Sequence, residues 1–208
     1  MPNLESFYKK LSKRKNTLTV FNPYRDETKL ENLKRYIELA FEQSGPRILL
    51  VGEAYGFKGG RLTGIPFSSG KLFDEVDHPF LQQLKPKIEL NPDTLTAENT
   101  ASIVWRYLCS QETVPLFWNS FPYHPHPSRI QKKNRAPLKA EIEEGLELLQ
   151  MLMDVYQPDA IAGLGRKGTD CLQKAFPDQD IRYIRHPSYG GKSDFIDGMN
   201  RLFLQGSA

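Results

Sequence analysis

Several residues with side chains suited to binding or catalysis follow short apolar runs of the sequence. Phe67 lies in the glycine-rich segment RILLVGEAYGFKGGRLTGIPFSSG, Asn119 follows VPLFW, and His186 follows IRYI. An aromatic ring can stack on a planar base, and a carboxamide offers one acceptor and two donors to the edge of that base. If the apolar runs are parallel strands, their carboxyl ends meet at one rim, where open α/β sheets bind ligands. The residue types therefore predict a nucleobase site at that rim.

Asn119 has a side chain that can distinguish uracil from cytosine. Uracil offers an N3–H donor beside an O4 acceptor, and the two ends of one carboxamide match this pair. Cytosine has the opposite polarity, so an amide held in one orientation leaves buried polar groups unpaired and rejects it. The same residue type also caps strand ends through local backbone bonds, and the sequence leaves that alternative open.

His186 has a side chain suited to the cleavage of an N-glycosidic bond. As such a bond lengthens, the sugar becomes oxocarbenium-like and the departing base gains negative charge on its oxygens. An imidazole N–H directed at O2 of uracil would stabilise this charge where it develops. A histidine at this position can equally orient a backbone turn, which is the structural alternative.

The elements that must position these residues alternate between strand and helix. Such alternation favours a parallel sheet with helices on both faces. The glycine-rich segment, taken alone, also fits an ordinary strand-to-helix connection. The sequence predicts strands over 47–51, 114–119, 160–164 and 181–184, and helices over 28–44, 69–76, 98–110, 142–156, 167–175 and 194–204.

Length and composition indicate one globular domain. The chain has 208 residues, of which 25% are charged and 39% hydrophobic, with a formal net charge of +3. This length supports one α/β core rather than two, and we expect a single domain over 1–208 whose first 27 residues are an N-terminal extension. The small positive charge is compatible with a polyanionic partner without demonstrating one. Because no signal-like or long apolar segment is present, we expect a cytoplasmic monomer without a membrane anchor.

Two cysteines and three of the histidines bear on metal chemistry. Cys109 and Cys171 lie in apolar, helical stretches and are predicted to be buried free thiols, too few for a four-thiolate cluster. His124 and His126 form a His-x-His pattern, and with His186 they could make a metal site that supports hydrolysis. The alternative hypothesis places one of the pair at the pocket or on a phosphate and the other in solvent. We expect neither a metal nor another cofactor.

Phe67, Asn119 and His186 each lie in a motif that belongs to an ordered series along the chain. This series comprises GEAYG, GRLTGIPF, WNSFP, NRAPL, PDAIAGLG and HPS, and the similarity covers roughly 48–203. The series resembles the uracil-DNA glycosylase superfamily, and most of all the branch whose first motif begins GEAPG and which otherwise carries an iron–sulfur cluster. The resemblance implies a three-layer α/β/α sandwich around a four-stranded parallel sheet. It also implies removal of a damaged base from DNA, leaving an abasic site.

The resemblance assigns roles to residues that match the motifs. Phe67 matches the aromatic residue that stacks on the base, and Asn119 matches the carboxamide that recognises the uracil edge. His186 matches the histidine of the second motif. The first motif, whose backbone is expected to contact uracil, corresponds to Gly52, Glu53 and Ala54.

Two further segments are expected to contact DNA. Pro187, Ser188 and Tyr189 match the loop that presses into the minor groove, where Tyr189 would fill the space left by the extruded nucleotide. A basic cluster follows the second strand and is expected to border the DNA cleft, although such a cluster also fits an ordinary solvated loop. It contains Arg129, Lys132, Lys133, Arg135 and Lys139.

The sequence departs from the GEAPG branch at two places. Tyr55 replaces the proline, which predicts a narrower pocket or an added stacking face, and the cluster-binding cysteines are missing. Position 54 is alanine, as in that branch, where the best-known branch has a water-activating aspartate. The general base is therefore unassigned: Glu53 is the nearest carboxylate and Asp74 a weaker candidate. We predict a uracil-DNA glycosylase, or alternatively a catalytically weak homologue that binds nucleic acid or a free nucleobase.

Overall fold

Strands form where the apolar runs of the sequence lie. The computed structural model describes residues 3–206, so the predicted domain is described except for positions 1, 2, 207 and 208. In chain order the strands are β1 (Val20–Phe21), β2 (Ile48–Ala54), β3 (Leu116–Phe121), β4 (His124–Pro125), β5 (Ala160–Leu164) and β6 (Ile181–Ile184).

Four of these strands form one parallel sheet in the order β3-β2-β5-β6. The chain passes from β2 to β3 on one side and later returns to β5 on the other side of β2. This reversal opens a crevice at the carboxyl ends of the central strands β2 and β5, where doubly wound sheets bind ligands. The predicted four-stranded parallel sheet is confirmed.

The first strand of the sheet is longer than predicted. Gly52 interrupts the apolar run, so the sequence predicts that the strand ends at Val51. Instead, pairing with β3 continues, with Gly52 beside Asn119 and Ala54 beside Phe121. The first half of the GEAYG motif is therefore extended backbone at the sheet rim.

Helices cover both faces of the sheet, as predicted. Helices α7 and α8 pack on one face, with α1 against α7, while α2, α6 and α9 lie on the other. The helices are α1 (Leu4–Lys13), α2 (Glu27–Glu42), α3 (Gly60–Thr63), α4 (Leu72–Glu75), α5 (Pro79–Leu84), α6 (Asn99–Leu108), α7 (Lys139–Tyr156), α8 (Gly165–Ala175) and α9 (Lys192–Gly206).

The N-terminal segment packs into the core. Phe7 is fully buried, and its ring lies 5.3 Å from that of Trp118 on β3. Strand β1 pairs antiparallel with β4, and neither strand is among those predicted from the sequence. This two-residue ribbon fixes the chain just beyond the carboxyl end of β3.

The two cysteines differ in exposure. Cys171 is buried in α8, as predicted, but Cys109 is exposed, so the prediction of two buried thiols is wrong for that residue. Cys109 follows the last residue of α6 and therefore lies beyond the buried face of that helix. None of the helices in residues 3–206 combines the length and apolar character needed to cross a bilayer.

Candidate active site

A cavity of about 380 Å³ opens at the carboxyl edge of the sheet. Residues at the ends of β2, β3 and β5 line it, together with loop residues that include His186, which follows β6. Its volume is within the range of small-molecule sites. The residues predicted to bind the base or act on it all line this cavity: Gly52, Glu53, Ala54, Tyr55, Phe67, Asn119 and His186.

The floor of the cavity depends on a close approach at Gly52. A Cβ atom at that position would lie 2.6 Å from Cζ of Phe67 and 2.7 Å from Oδ1 of Asn119. Only glycine leaves room for both side chains, so the ring and the carboxamide meet over the backbone of β2. The GEAYG motif therefore contributes shape to the cavity as well as backbone hydrogen-bonding groups.

Phe67 is held in an unusual backbone conformation. Its φ of 51° lies in the left-handed region, which side chains with a Cβ rarely adopt. The indole Nε1 of Trp105 donates a hydrogen bond to its carbonyl oxygen at 2.9 Å, and its ring lies 5.1 Å from the buried ring of Phe117. These contacts fix the aromatic face that borders the cavity.

Asn119 is a buried polar side chain without a protein partner. It is only 3% exposed, yet its carboxamide makes no hydrogen bond to any residue within 3–206. Asn119 lines the cavity, so its amide donors and acceptor are available to a molecule that enters it.

His186 is half-buried and presents one defined ring nitrogen to the cavity. The backbone N–H of Ser188 donates to Nδ1 at 3.3 Å, so the proton of the neutral ring lies on Nε2. Burial lowers the pKa of His186 below its ordinary value, an effect that the Glu98 carboxylate opposes. The ring is therefore neutral at neutral pH, with Nε2–H as a hydrogen-bond donor.

Glu53 lies on the cavity wall, and its carboxylate forms an ion pair. Nζ of Lys167, near the start of α8, lies 2.7 Å from Oε1 of Glu53. Helix α8 comes this close because Gly168 faces β2, where a Cβ would lie 2.6 Å from the Val51 carbonyl oxygen. Asp74, the weaker candidate base, is outside the cavity and pairs with Lys85.

Tyr55 borders the cavity but directs its hydroxyl into the core. The side chain is 4% exposed, and its hydroxyl hydrogen-bonds that of Tyr24, which in turn donates to the Gly64 carbonyl oxygen at 3.1 Å. Burial raises the pKa of Tyr55 far above its ordinary value, so the phenol stays neutral. The residue that replaces the motif's proline therefore braces the glycine-rich loop.

Comparison with known proteins decides the family. A sequence model described as the uracil DNA glycosylase superfamily matches residues 40–198, which is most of the chain. The chain belongs to the uracil DNA glycosylase superfamily. The crystal structure of wild-type SMUG2 from Pedobacter heparinus has the same fold, with a TM-score of 0.65 and 16% identity over 96% of this chain and 97% of that one. No curated protein sequence matches the chain.

The loop that superfamily resemblance assigns to the minor groove protrudes beside the cavity. Tyr189 is fully exposed, and its φ of 53° lies in the left-handed region. Pro187 is buried and Ser188 half-buried at its base, and all three border a second groove next to α6. The geometry leaves Tyr189 free to contact another molecule.

The basic cluster divides into exposed and structural residues. Arg129, Lys132 and Lys133 are exposed, as contact with a phosphate requires. Arg135, in contrast, points inward and forms two hydrogen bonds of 2.7 and 2.6 Å to the Glu141 carboxylate. The prediction that Arg135 belongs to the solvated or phosphate-contacting set is therefore wrong.

The histidine pair does not lie where the sequence predicts. His124 and His126 are both buried, and neither lines the cavity that contains His186. The two ring nitrogens of His124 lie 2.8 and 3.0 Å from the carbonyl oxygens of Tyr55 and Gln131, which leaves neither free to bind a metal. No three His, Cys, Asp or Glu side chains cluster as metal ligands within the described part of the chain.

Sequence reasoning missed Ser68, Arg166 and four other polar residues that line the cavity. Asn134 belongs to the NRAPL motif, to which no role was given; its Oδ1 accepts a hydrogen bond from the Phe57 N–H at 2.9 Å, which holds the side chain at the cavity. Lys167 follows the glycine that ends β5, a signal that could have been used. The other two, Glu98 and Thr100, stand at the start of α6 and belong to no motif.

Proposed function

We propose that this member of the superfamily is a DNA glycosylase that hydrolyses the N-glycosidic bond of deoxyuridine in DNA. The observation that carries the proposal is the placement of the Asn119 carboxamide beside the Phe67 ring on the cavity floor, where no hydrogen bond to the described residues engages it. A uracil stacked on Phe67 would satisfy the amide with its N3–H donor and O4 acceptor. Cytosine would set its amino donor against the amide NH₂ and its N3 acceptor against the amide oxygen. Each group left unpaired costs about 1–3 kcal/mol, so cytosine binding is several kilocalories per mole less favourable.

His186 supports the chemical step. Its neutral ring carries the proton on Nε2, and this donor can meet O2 of a uracil whose other edge faces Asn119. The negative charge that develops on O2 during bond cleavage strengthens that hydrogen bond in the transition state. One such donor in a desolvated site contributes roughly 100- to 1,000-fold to the rate.

The exposed groups around the cavity support DNA as the substrate. Base excision requires that the nucleotide leave the helix, and Tyr189 protrudes next to the cavity where it can occupy the vacated space. Exposed cations of the basic cluster can neutralise phosphates of the flanking strand. Cofactor-independent action as a monomer in the cytoplasm is part of the same proposal.

The proposal is tested with a labelled oligonucleotide that carries a single uracil. The protein is incubated with it in EDTA under single-turnover conditions, and alkali then breaks the strand at any abasic site. Strand scission at the uracil position supports the proposal, and parallel substrates with hypoxanthine or xanthine define the base range. DNA binding without scission on any of these substrates would favour the alternative, a catalytically weak homologue.

A further inference from the structure

Two carboxylates border the cavity among the described residues, and they differ in what they bind. The Glu53 carboxylate contacts the Lys167 ammonium at 2.7 Å, which holds it on the wall formed by α8. Glu98 stands on the opposite side, at the start of α6, and forms no ion pair within residues 3–206. Its side chain is half-buried, so solvent reaches it from the cavity.

Glu98 is held at the cavity by the segment that precedes α6. The Thr96 hydroxyl donates to the Lys58 carbonyl oxygen at 2.6 Å, and the Lys71 N–H donates to the Thr96 carbonyl oxygen at 3.2 Å. These bonds join the segment to the glycine-rich loop. The Glu98 side chain then packs over Gly59, where a Cβ would lie 3.3 Å from its Cγ.

The two carboxylate oxygens of Glu98 have different surroundings. Oε2 accepts a hydrogen bond from the Ala101 N–H at 2.7 Å, which caps α6 and fixes the orientation of the group. Oε1 accepts no hydrogen bond from the described residues. The cap therefore immobilises a carboxylate that lines the cavity and leaves Oε1 available to accept a hydrogen bond.

Glu98 and the imidazole of His186 line the same cavity. The Glu98 carboxylate opposes the lowering of the His186 pKa by burial, and does so more strongly than that of Glu53. In the proposed complex, Nε2 of His186 contacts O2 of uracil, which is two bonds from N1, the base atom of the scissile bond. A carboxylate that lines the same cavity as His186 can therefore reach a water beside the sugar C1′.

We propose that Oε1 of Glu98 holds the attacking water and accepts its proton, an inference that rests on the proposed function. The C1′–N1 bond breaks and its electron pair leaves with uracil, whose O2 charge is stabilised by His186. The water oxygen bonds to C1′ and its proton passes to Glu98. The products are the abasic sugar, with a hydroxyl at C1′, and the uracil anion, which takes up the proton. This assigns to α6 the task that position 54, an alanine, cannot perform.

The test is the single-turnover rate of Glu98→Gln on the uracil oligonucleotide, with the DNA dissociation constant measured in parallel. Glutamine keeps an oxygen for the Ala101 N–H and thus preserves the cap, but it cannot accept a proton from water. We expect the rate to fall by about 100- to 10,000-fold, the usual contribution of a general base, with unchanged DNA affinity. Glu53→Gln slows the reaction less than Glu98→Gln, and the matched control Glu112→Gln, an exposed residue far from the cavity, leaves the rate unchanged.

A second variant separates proton transfer from structure. Glu98→Ala opens space for a small carboxylate, and we expect formate to raise its rate while chloride at equal ionic strength does not. A Glu98→Gln rate within about threefold of wild type, a loss confined to DNA affinity, or a Glu98→Ala rate that formate leaves unchanged would overturn the assignment. If the wild-type protein does not cleave the uracil substrate, the proposed function itself fails. If wild type cleaves it and Glu98→Gln does so equally well, only the role of Glu98 fails.

Discussion

Replacing Gly52 by alanine puts a methyl group into the floor of the cavity. The added Cβ would lie 2.6 Å from Cζ of Phe67 and 2.7 Å from Oδ1 of Asn119, whereas ordinary contacts begin at 3.4 Å. The ring and the carboxamide must therefore retreat by about 0.8 and 0.7 Å. The Phe67 ring packs against buried Phe117 and its carbonyl is held by Trp105, so a retreat of the ring displaces buried groups, whereas the Asn119 carboxamide is forced to shift within the cavity.

The magnitude of the effect follows from this overlap. Overpacking of a rigid core costs about 1–3 kcal/mol, and each kilocalorie lowers the Tm of a chain of this size by roughly 2–4 °C. A misplacement of about 1 Å at a reacting centre costs on the order of 100-fold in rate. We therefore expect Gly52→Ala to be folded at room temperature, slightly less stable, and about 100-fold slower in single-turnover cleavage.

The assay compares Gly52→Ala with Gly56→Ala well below both melting temperatures. A Cβ at Gly56 would meet only Nδ2 of Asn134, at 3.6 Å, which is an ordinary contact. We expect this second variant to lose much less activity. Gly52→Ala with the wild-type rate and stability would refute the argument that Phe67 and Asn119 form a fixed floor over Gly52.

Three other predictions concern selectivity, stability and DNA affinity. Asn119→Asp lowers the preference for uracil over cytosine by at least about tenfold, measured as the ratio of cleavage rates on matched oligonucleotides; an unchanged ratio would remove Asn119 from base recognition. Burial alone raises the pKa of Glu141, but hydrogen bonds and charge from Arg135 hold it below its ordinary value. The resulting stability is present at neutral pH and is lost as the pH falls through the lowered pKa; Glu141→Gln should therefore cost about 2 kcal/mol at pH 7 and less in acid, as urea titrations at both pH values will show. A double substitution of Lys132 and Lys133 by alanine weakens duplex binding and reduces the slope of log K against log salt by up to about 1.8; an unchanged slope would mean that neither lysine contacts a phosphate.

The residues at the strand ends could be found from the sequence because parallel strands bring their carboxyl ends to one rim. Asn119 and His186 follow two apolar runs, and any fold that aligns those runs places both at the same edge. The end of β2 could not be found in this way, since Gly52 breaks the apolar pattern although backbone pairing with β3 continues. Hydrophobic periodicity reports burial of side chains and is silent on such pairing.

Positions fixed by long-range contacts were not predictable. His124 is a buried residue of the short ribbon of β1 and β4, and two-residue strands carry no periodic signal. Glu98 reaches the cavity through the bond between Thr96 and Lys58, which belong to irregular segments far apart in sequence. The cavity floor could therefore be predicted from motifs, whereas the wall opposite α8 required the structure.

The central claim is that His186 stabilises the departing base rather than holding DNA. The most direct measurement is the single-turnover rate on a single-uracil oligonucleotide in EDTA, together with the DNA dissociation constant, for wild type and His186→Ala. We predict metal-independent cleavage by wild type and a rate at least about 100-fold lower in the variant, with the dissociation constant changed by less than about threefold. Equal losses of affinity and rate, or a variant as fast as wild type, would contradict it.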